Sequence, residues 1–183
     1  MYKRLEENPI IAAVRNGNEF EKAIESPVQV IFMLFGSVLN LQEYIDRAHA
    51  KDKMLFLHVD LTEGIGKDSA GIAWIAKMGM DGIISTRSNL MRYAREQGLF
   101  SVQRFFIVDS QSMVTAVENL SNSMPTMVEL MPGVATKAIE HLCTCSNVPV
   151  IAGGLIQTKE EIIRAINAGA TAISTVCEGL WEE

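Results

Sequence analysis

The chain has 183 residues, of which 48% are apolar and 21% are charged, and its formal net charge is −6. The apolar content excludes an intrinsically disordered chain, because enough surface can be buried to offset the entropy lost on folding. The length suits a single domain, which we expect to span residues 1–183. The three cysteines, Cys143, Cys145 and Cys177, fit no zinc-binding spacing, so we expect neither a metal site nor a cofactor.

The first residues and the hydropathy of the chain indicate where in the cell the protein is expected. Residues 1–8 lack the apolar run of a secretory signal, and no stretch is apolar for long enough to span a bilayer. We therefore expect a cytoplasmic protein without membrane contacts. The acidic balance argues mildly against non-specific affinity for nucleic acid, which is itself a polyanion, although a local basic patch can prevail.

Short apolar runs alternate with helical segments along the whole chain. The runs are nearly continuous, which is typical of strands buried on both faces. Strands are predicted at residues 10–14, 28–35, 54–61, 82–85, 105–108, 127–131, 148–152 and 171–176. Helices are predicted at residues 18–25, after Asn40, at 69–77, 89–97, 110–120 and 136–142, and after Thr158. Asn40 and Thr158 each precede a glutamate by three residues, as in a helix-capping box.

Strand and helix repeated in this way predict right-handed crossovers onto a parallel sheet. Eight such units favour a closed α/β barrel, a compact (β/α)8 TIM-like barrel of parallel strands. Typical element and loop lengths add up to roughly 170 residues, so the chain is just long enough. An open doubly wound sheet is the alternative, but the sequence has neither G-x-G-x-x-G nor a Walker A loop.

The end of the seventh predicted strand has features of a phosphate site. Gly153 and Gly154 follow the strand directly, and two glycines let backbone N–H groups approach an anion closely. Ser174 and Thr175 end the eighth strand, and the loops after these two strands are the common phosphate position of such barrels. Lys67, on a glycine-flanked loop, is a further candidate anion ligand, or simply a solvated lysine.

Polar side chains at the other strand ends predict a pocket for an anionic polyol. The candidate residues are His58 and Asp60 after the third strand, Glu129 in the sixth, Arg15 after the first and Arg87 after the fourth. Asp60 is equally interpretable as a strand-end cap. An inward Glu129 would need a partner, because a buried charge is tolerated only when it is compensated.

An enzymatic function is the alternative on the same scaffold. Asp60 and Glu129 would then be the acid and base of a lyase or isomerase acting on a small sugar or polyol phosphate. The predicted strands offer no clear inward lysine for a Schiff base, and His58 is the one histidine near the mouth. The residues therefore favour binding over turnover, and we assign no catalytic residue.

Several motifs, in this order, resemble those of the glycerol-3-phosphate-responsive antiterminator family. The most specific are Ser-Thr-Arg-Ser-Asn at residues 85–89 and Ile-Ala-Gly-Gly-Leu-Ile at 151–156. The others lie at residues 9–15, 58–61, 103–110 and 129–133, so the resemblance covers nearly the whole chain.

This resemblance implies a barrel that senses glycerol 3-phosphate. In its bound state such a protein acts on the leader mRNA of a glycerol-metabolism operon and prevents premature termination. Carried onto this sequence, the phosphate would lie at Gly153, Gly154, Ser174 and Thr175. The glycerol hydroxyls would meet Asp60 and Glu129.

Contact with RNA requires a basic patch on an acidic protein. The best local candidate comprises Arg87, Arg92, Arg95 and Arg104, which with Glu96 carry a net +3. Aromatic residues interleave these arginines, as in surfaces that stack unpaired bases. An ordinary amphipathic helix with a solvated basic face is the alternative. We expect the RNA contact to be weak, ligand-dependent and assisted by homo-oligomerisation.

Overall fold

The computed structural model describes residues 1–182. Eight parallel strands close into a barrel in chain order, which confirms the predicted (β/α)8 TIM-like architecture. The strands are β1 (Ile10–Val14), β2 (Val30–Met33), β3 (Met54–His58), β4 (Gly82–Ser85), β5 (Phe100–Phe106), β6 (Met127–Met131), β7 (Val150–Gly153) and β8 (Ala172–Thr175). The last strand closes the barrel on the first, with Ile11 opposite Ser174.

Among the described residues, one helix precedes the first strand, and the other seven follow strands and form the outer layer. The helices are α1 (Tyr2–Glu7), α2 (Gly17–Glu25), α3 (Leu41–Ala50), α4 (Ser69–Lys77), α5 (Ser88–Glu96), α6 (Ser110–Ser123), α7 (Thr136–Cys145) and α8 (Lys159–Asn167). Short 3-10 turns lie at Val59–Leu61 and Glu178–Leu180. Within residues 1–182, no helix is both long enough and apolar enough to cross a membrane.

Strand residues alternate between two hydrophobic cores, because successive side chains point to opposite faces of the sheet. One set packs against the helices, and the other fills the barrel interior. Phe32 and Phe56 lie in the interior, with their ring centroids 5.5 Å apart. These strands are buried on both faces, which explains why they read as continuous apolar runs.

Helix α1 lies across the amino end of the barrel and was not predicted from the sequence. Its Leu5 is buried in the interior core. Tyr2 donates a hydrogen bond of 3.1 Å to the carbonyl of Thr126, just before β6. Arg4 pairs with Asp52, just before β3, at 2.7 Å. The helix therefore bridges strands on different sides of the barrel and closes that end.

Two local predictions were wrong and one was confirmed. Strand β5 begins at Phe100 rather than at residue 105, so Gln103 and Arg104 lie inside it. The Asn40 side chain does not cap α3, because its oxygen accepts instead from the Ser37 amide at 2.9 Å. The capping box of Thr158 with Glu161 at the start of α8 is present.

Candidate functional site

The inward faces of β5, β6 and β8 carry polar side chains at the carboxyl end of the barrel. Strand register places Arg104 beside Glu129 and Gly153 beside Ser174. These residues adjoin a cavity of about 170 Å³, which we call the mouth cavity. Its lining residues are Ala13, Leu34, Arg104, Glu129, Met131, Gly154, Leu155, Ile156, Gln157, Ser174, Thr175 and Val176. It therefore opens where ligands of this fold bind.

Glu129 is the centre of a buried polar cluster at the floor of the mouth cavity. Its side chain is fully buried and forms an ion pair with Arg104, whose Nε lies 2.6 Å from Oε2. The Ser174 hydroxyl donates to the other carboxylate oxygen, Oε1. The predicted need for a partner is thus met twice, as burial of a carboxylate requires.

Gly153 makes this cluster possible, because β7 lies between β6 and β8. A Cβ atom on Gly153 would lie 2.5 Å from Oε1 of Glu129 and 2.8 Å from Oγ of Ser174. Both distances are too short for real atoms, so no side chain fits at this position. The glycine leaves the gap across which the Glu129 carboxylate reaches the Ser174 hydroxyl.

Free backbone amides line the rim of the mouth cavity above β7 and β8. Gly154 has a positive φ of 75°, and Leu155 after it has a φ of 61°, which is unusual for a side chain of this kind. Within residues 1–182, the amides of Leu155, Ile156 and Val176 donate no hydrogen bond. Unpaired N–H groups in a concave loop are a general device for binding anions.

The two predicted hydroxyls line the mouth cavity but are already engaged. Ser174 donates to Glu129. The Thr175 hydroxyl donates to the carbonyl of Ile156 at 2.8 Å and accepts from the amide of Cys177 at 3.0 Å. Their hydrogens are therefore used inside the protein, and backbone amides are the donors left for a ligand at the rim.

Asp60, which was predicted to contact polyol hydroxyls, does not line the mouth cavity. One carboxylate oxygen accepts from the Ser85 hydroxyl and from the Thr86 amide, each at 2.9 Å, and the other accepts from Arg87 at 3.1 Å. Burial opposes ionisation of Asp60, but these hydrogen bonds outweigh it and lower the pKa of its carboxyl. Asp60 thus holds the loop after β4, as the strand-end interpretation predicts.

Three further candidates do not line the mouth cavity either. Arg87 forms an ion pair with Asp60. Arg15 is paired with Glu19 of α2 at 2.7 Å, and this pairing raises the pKa of Arg15. Lys67 donates to the carbonyl of Thr62 at 3.4 Å in the loop after β3. The predicted polyol set is therefore dispersed around the rim, with Glu129 at the cavity.

His58 ends β3 on the inward face and is almost fully buried. Within residues 1–182 its Nδ1 has no hydrogen-bond partner. Burial, together with the positive charge of Arg104, lowers the pKa of His58 to about 4. The imidazole is therefore neutral near pH 7 and lies close enough to the polar cluster to sense its charge.

The four arginines expected to form one basic patch are separated in the structure. Arg104 is only 7% exposed inside the barrel, so its predicted place on an RNA-facing surface is corrected. Arg92 is exposed, with its guanidinium 5.0 Å from the Tyr93 ring centroid. Arg95 donates to the carbonyl of Met124 at 3.3 Å. Arg92 and Arg95 lie on α5, whereas Arg87 precedes that helix and is paired with Asp60.

Sequence reasoning missed Arg104 as a residue of the site, and with it Ala13, Leu34 and Met131. Arg104 was missed because β5 was predicted to start at residue 105. With the strand beginning at Phe100, period-two alternation puts Arg104 on the inward face with Val102. That alternation would have paired Arg104 with the inward Glu129.

Comparisons with known proteins agree with this architecture. A solved glycerol uptake operon antiterminator regulatory protein from Listeria monocytogenes str. 4b F2365 superposes with a TM-score of 0.92 at 34% identity, over 96% of this chain and 95% of that one. A solved glycerol uptake operon antiterminator-related protein from Thermotoga maritima MSB8 gives a TM-score of 0.85 at 30% identity, over 95% of this chain and 98% of that one.

Sequence comparison also finds similar proteins over nearly the whole chain. The uncharacterized protein YgcP of Escherichia coli (strain K12) is 35% identical over 178 residues, which are 97% of this chain and 93% of that protein. Residues 10–181 match the family model described as glycerol-3-phosphate responsive antiterminator. The match covers nearly the whole chain and all eight strands. The chain therefore belongs to the glycerol-3-phosphate responsive antiterminator family.

Proposed function

We propose that this chain binds glycerol 3-phosphate in the mouth cavity and, when bound, acts on the leader mRNA of a glycerol-metabolism operon to prevent premature termination. Family membership supports the effector and the regulatory role. The observation that carries the proposal is a cavity with free amides at its rim and a buried ion pair at its floor. Both ends of a polyol phosphate find suitable groups there.

The phosphate is assigned to the rim. A dianion needs several donors that cost little to organise, and the amides of Leu155, Ile156 and Val176 meet this need. The amide of Gly133 donates to the carbonyls of Gly153 and Gly154, which fixes the loop from the β6 side. Ser174 and Thr175 shape this corner through their positions, since their hydroxyl hydrogens are engaged.

The glycerol end is assigned to the floor. Arg104 supplies donors and Glu129 supplies acceptors within one ion pair, and a hydroxyl group uses one of each. Leu34 and Met131 line the cavity beside them and restrict access of water. The cavity volume of about 170 Å³ suits a small metabolite.

The arrangement favours binding over turnover. An acid–base mechanism with Asp60 and Glu129 would need both carboxyls at one ligand, but Asp60 is held by the loop after β4. Glu129 forms an ion pair with Arg104, and within the described residues no second carboxyl lines the cavity beside it. We therefore assign the chain as a regulatory protein that binds a metabolite and RNA.

Calorimetric titration tests the metabolite step. Glycerol 3-phosphate should bind in a one-to-one complex, whereas glycerol and inorganic phosphate should each bind far more weakly. In Gly154→Ala the added methyl would lie 2.5 Å from Cε of Met131, which must move. Gly98→Ala is the matched control, because its φ of 72° is similar and nothing lies within 4 Å. Both variants should lose similar stability, and Gly154→Ala alone should lose affinity.

A gel-shift assay on the cognate leader RNA tests the second step. Binding should increase when glycerol 3-phosphate is added. Arg92→Glu, on the exposed face of α5, should weaken the shift more than Lys77→Glu, an exposed residue of α4 that carries the same charge change. Equal RNA binding with and without the metabolite would contradict ligand gating. The absence of calorimetric binding of glycerol 3-phosphate would contradict its role as the effector.

A further inference from the structure

Arg104 has donors that the protein itself does not use. Its Nε donates to Glu129, and within residues 1–182 its two terminal nitrogens, Nη1 and Nη2, have no acceptor. The residue is only 7% exposed, yet it lines the mouth cavity. A buried guanidinium with free donors next to a cavity is arranged to bind a group inside that cavity.

Glu129 places a negative charge at the same spot. Its side chain is fully buried and also lines the mouth cavity. The ion pair with Arg104 compensates this charge, so the pair as a whole is neutral. No other lysine, arginine or histidine of the described chain lines the cavity. A further anionic group at the floor would therefore have no cation left to balance it.

We propose that Arg104 and Glu129 act together as a charge filter that admits a polyol phosphate and excludes a phosphorylated hydroxy acid of the same length. This inference rests on the proposed function, because it assigns the specificity of that same cavity. Arg104 is the ligand-binding donor of the pair, and Glu129 is the acceptor that sets the discrimination.

The physical basis is the difference between a hydroxyl and a carboxylate at the floor. A terminal hydroxyl accepts from a free nitrogen of Arg104 and donates to Glu129, so both groups are satisfied without a change in charge. A carboxylate also accepts from Arg104, but it offers no hydrogen to Glu129. It places a second negative charge against a fully buried one, and such like-charge contacts are strongly unfavourable.

Titrations with glycerol 3-phosphate and 3-phosphoglycerate test the filter. The wild-type protein should bind 3-phosphoglycerate about 100-fold more weakly than glycerol 3-phosphate. Glu129→Gln has nearly the same shape, and the Ser174 hydroxyl can rotate to accept from the new amide. In this variant the difference between the two ligands should fall below about tenfold, mainly through tighter binding of 3-phosphoglycerate.

A ligand-side control keeps the test independent of the variant's folding. The amide of 3-phosphoglycerate has the skeleton of the acid without its carboxylate charge, so wild-type protein should bind it more tightly than the acid. Equal affinity of the wild-type protein for glycerol 3-phosphate and 3-phosphoglycerate would overturn the filter. So would an unchanged preference in folded Glu129→Gln. No binding of glycerol 3-phosphate to wild-type protein would instead overturn the proposed function itself.

Discussion

Gly153 of β7 lies directly between Glu129 of β6 and Ser174 of β8, and the hydrogen bond that joins these two residues crosses the space where a Gly153 side chain would be. One carboxylate thus links β6 to β8 across β7, and to β5 through Arg104. The floor of the mouth cavity depends on a residue that does not itself line it.

Substitution of Gly153 by alanine should disturb this link. The added methyl forces Glu129 or Ser174 to move, and overpacking of this kind costs about 1–3 kcal/mol of unfolding free energy. Urea denaturation measures the loss. Gly179→Ala is the control, because a methyl there meets nothing within 4 Å. Equal stability of the two variants would show that the cluster tolerates a side chain at Gly153.

The pH dependence of stability should carry a contribution from His58. Its pKa is lowered from an ordinary value of 6.5 to about 4 by burial and by Arg104. The unfolded chain therefore binds a proton at a higher pH than the folded one, and stability falls as the pH drops from about 6.5 towards 4. Between pH 7 and pH 5 the loss from this residue should be about 2 kcal/mol.

Urea titrations at the two pH values, on wild type and His58→Leu, isolate this contribution. The leucine variant cannot titrate at this position, so its loss between pH 7 and pH 5 should be smaller by that amount. An identical pH dependence in wild type and His58→Leu would show that folding does not lower the pKa of His58.

Asp60→Asn should weaken the fold while leaving the metabolite in place. The variant loses charge-assisted hydrogen bonds from Ser85, Thr86 and Arg87, at a cost of about 1–3 kcal/mol. Because the pKa of Asp60 is lowered in the folded state, its contribution is present above pH 4 and is lost as the pH falls below that value.

Calorimetry distinguishes this structural role from a binding role. Asp60 does not line the mouth cavity, so folded Asp60→Asn should bind glycerol 3-phosphate within about threefold of wild type. Loss of binding without loss of stability would show that Asp60 contacts the polyol.

The residues after β8 should also contribute to stability through Trp181. This side chain is 1% exposed, and its indole N–H donates to the carbonyl of Thr175 at 3.0 Å. Trp181→Phe loses that bond and should cost about 1–2 kcal/mol in thermal or urea unfolding. Trp74→Phe is the matched control, since within residues 1–182 the Trp74 indole donates no hydrogen bond. Similar losses of stability in both variants would show that the smaller ring, and not the lost hydrogen bond, causes the effect.

Much of the barrel was predictable from local pattern. Strands buried on both faces leave continuous apolar runs in the sequence, and glycines or helix caps separate the strand–helix units. The number of strands and the closure of the barrel were therefore predictable. Helix α1 was not predictable in this way, because its six residues contain a single buried apolar side chain and no side-chain cap. It is held by contacts with Asp52 and Thr126, which are distant in sequence.

The site was predictable only in part. The glycines after β7 indicated the correct corner of the barrel, and the inward Glu129 indicated a buried partner. Arg104 was not recognised as that partner, because a charged residue in a buried strand is stable only through a neighbouring strand. The hydrogen bonds that Asp60 accepts from the loop after β4 were not predictable, because no local sequence pattern indicates them.

Helix α1 has one more consequence. Within residues 1–182, Leu5 of α1 and the interior core close the amino end of the barrel, so a small molecule in the mouth cavity enters and leaves through the carboxyl end. A macromolecule that bound over this opening would therefore retain the metabolite, whose residence time would become as long as that of the complex.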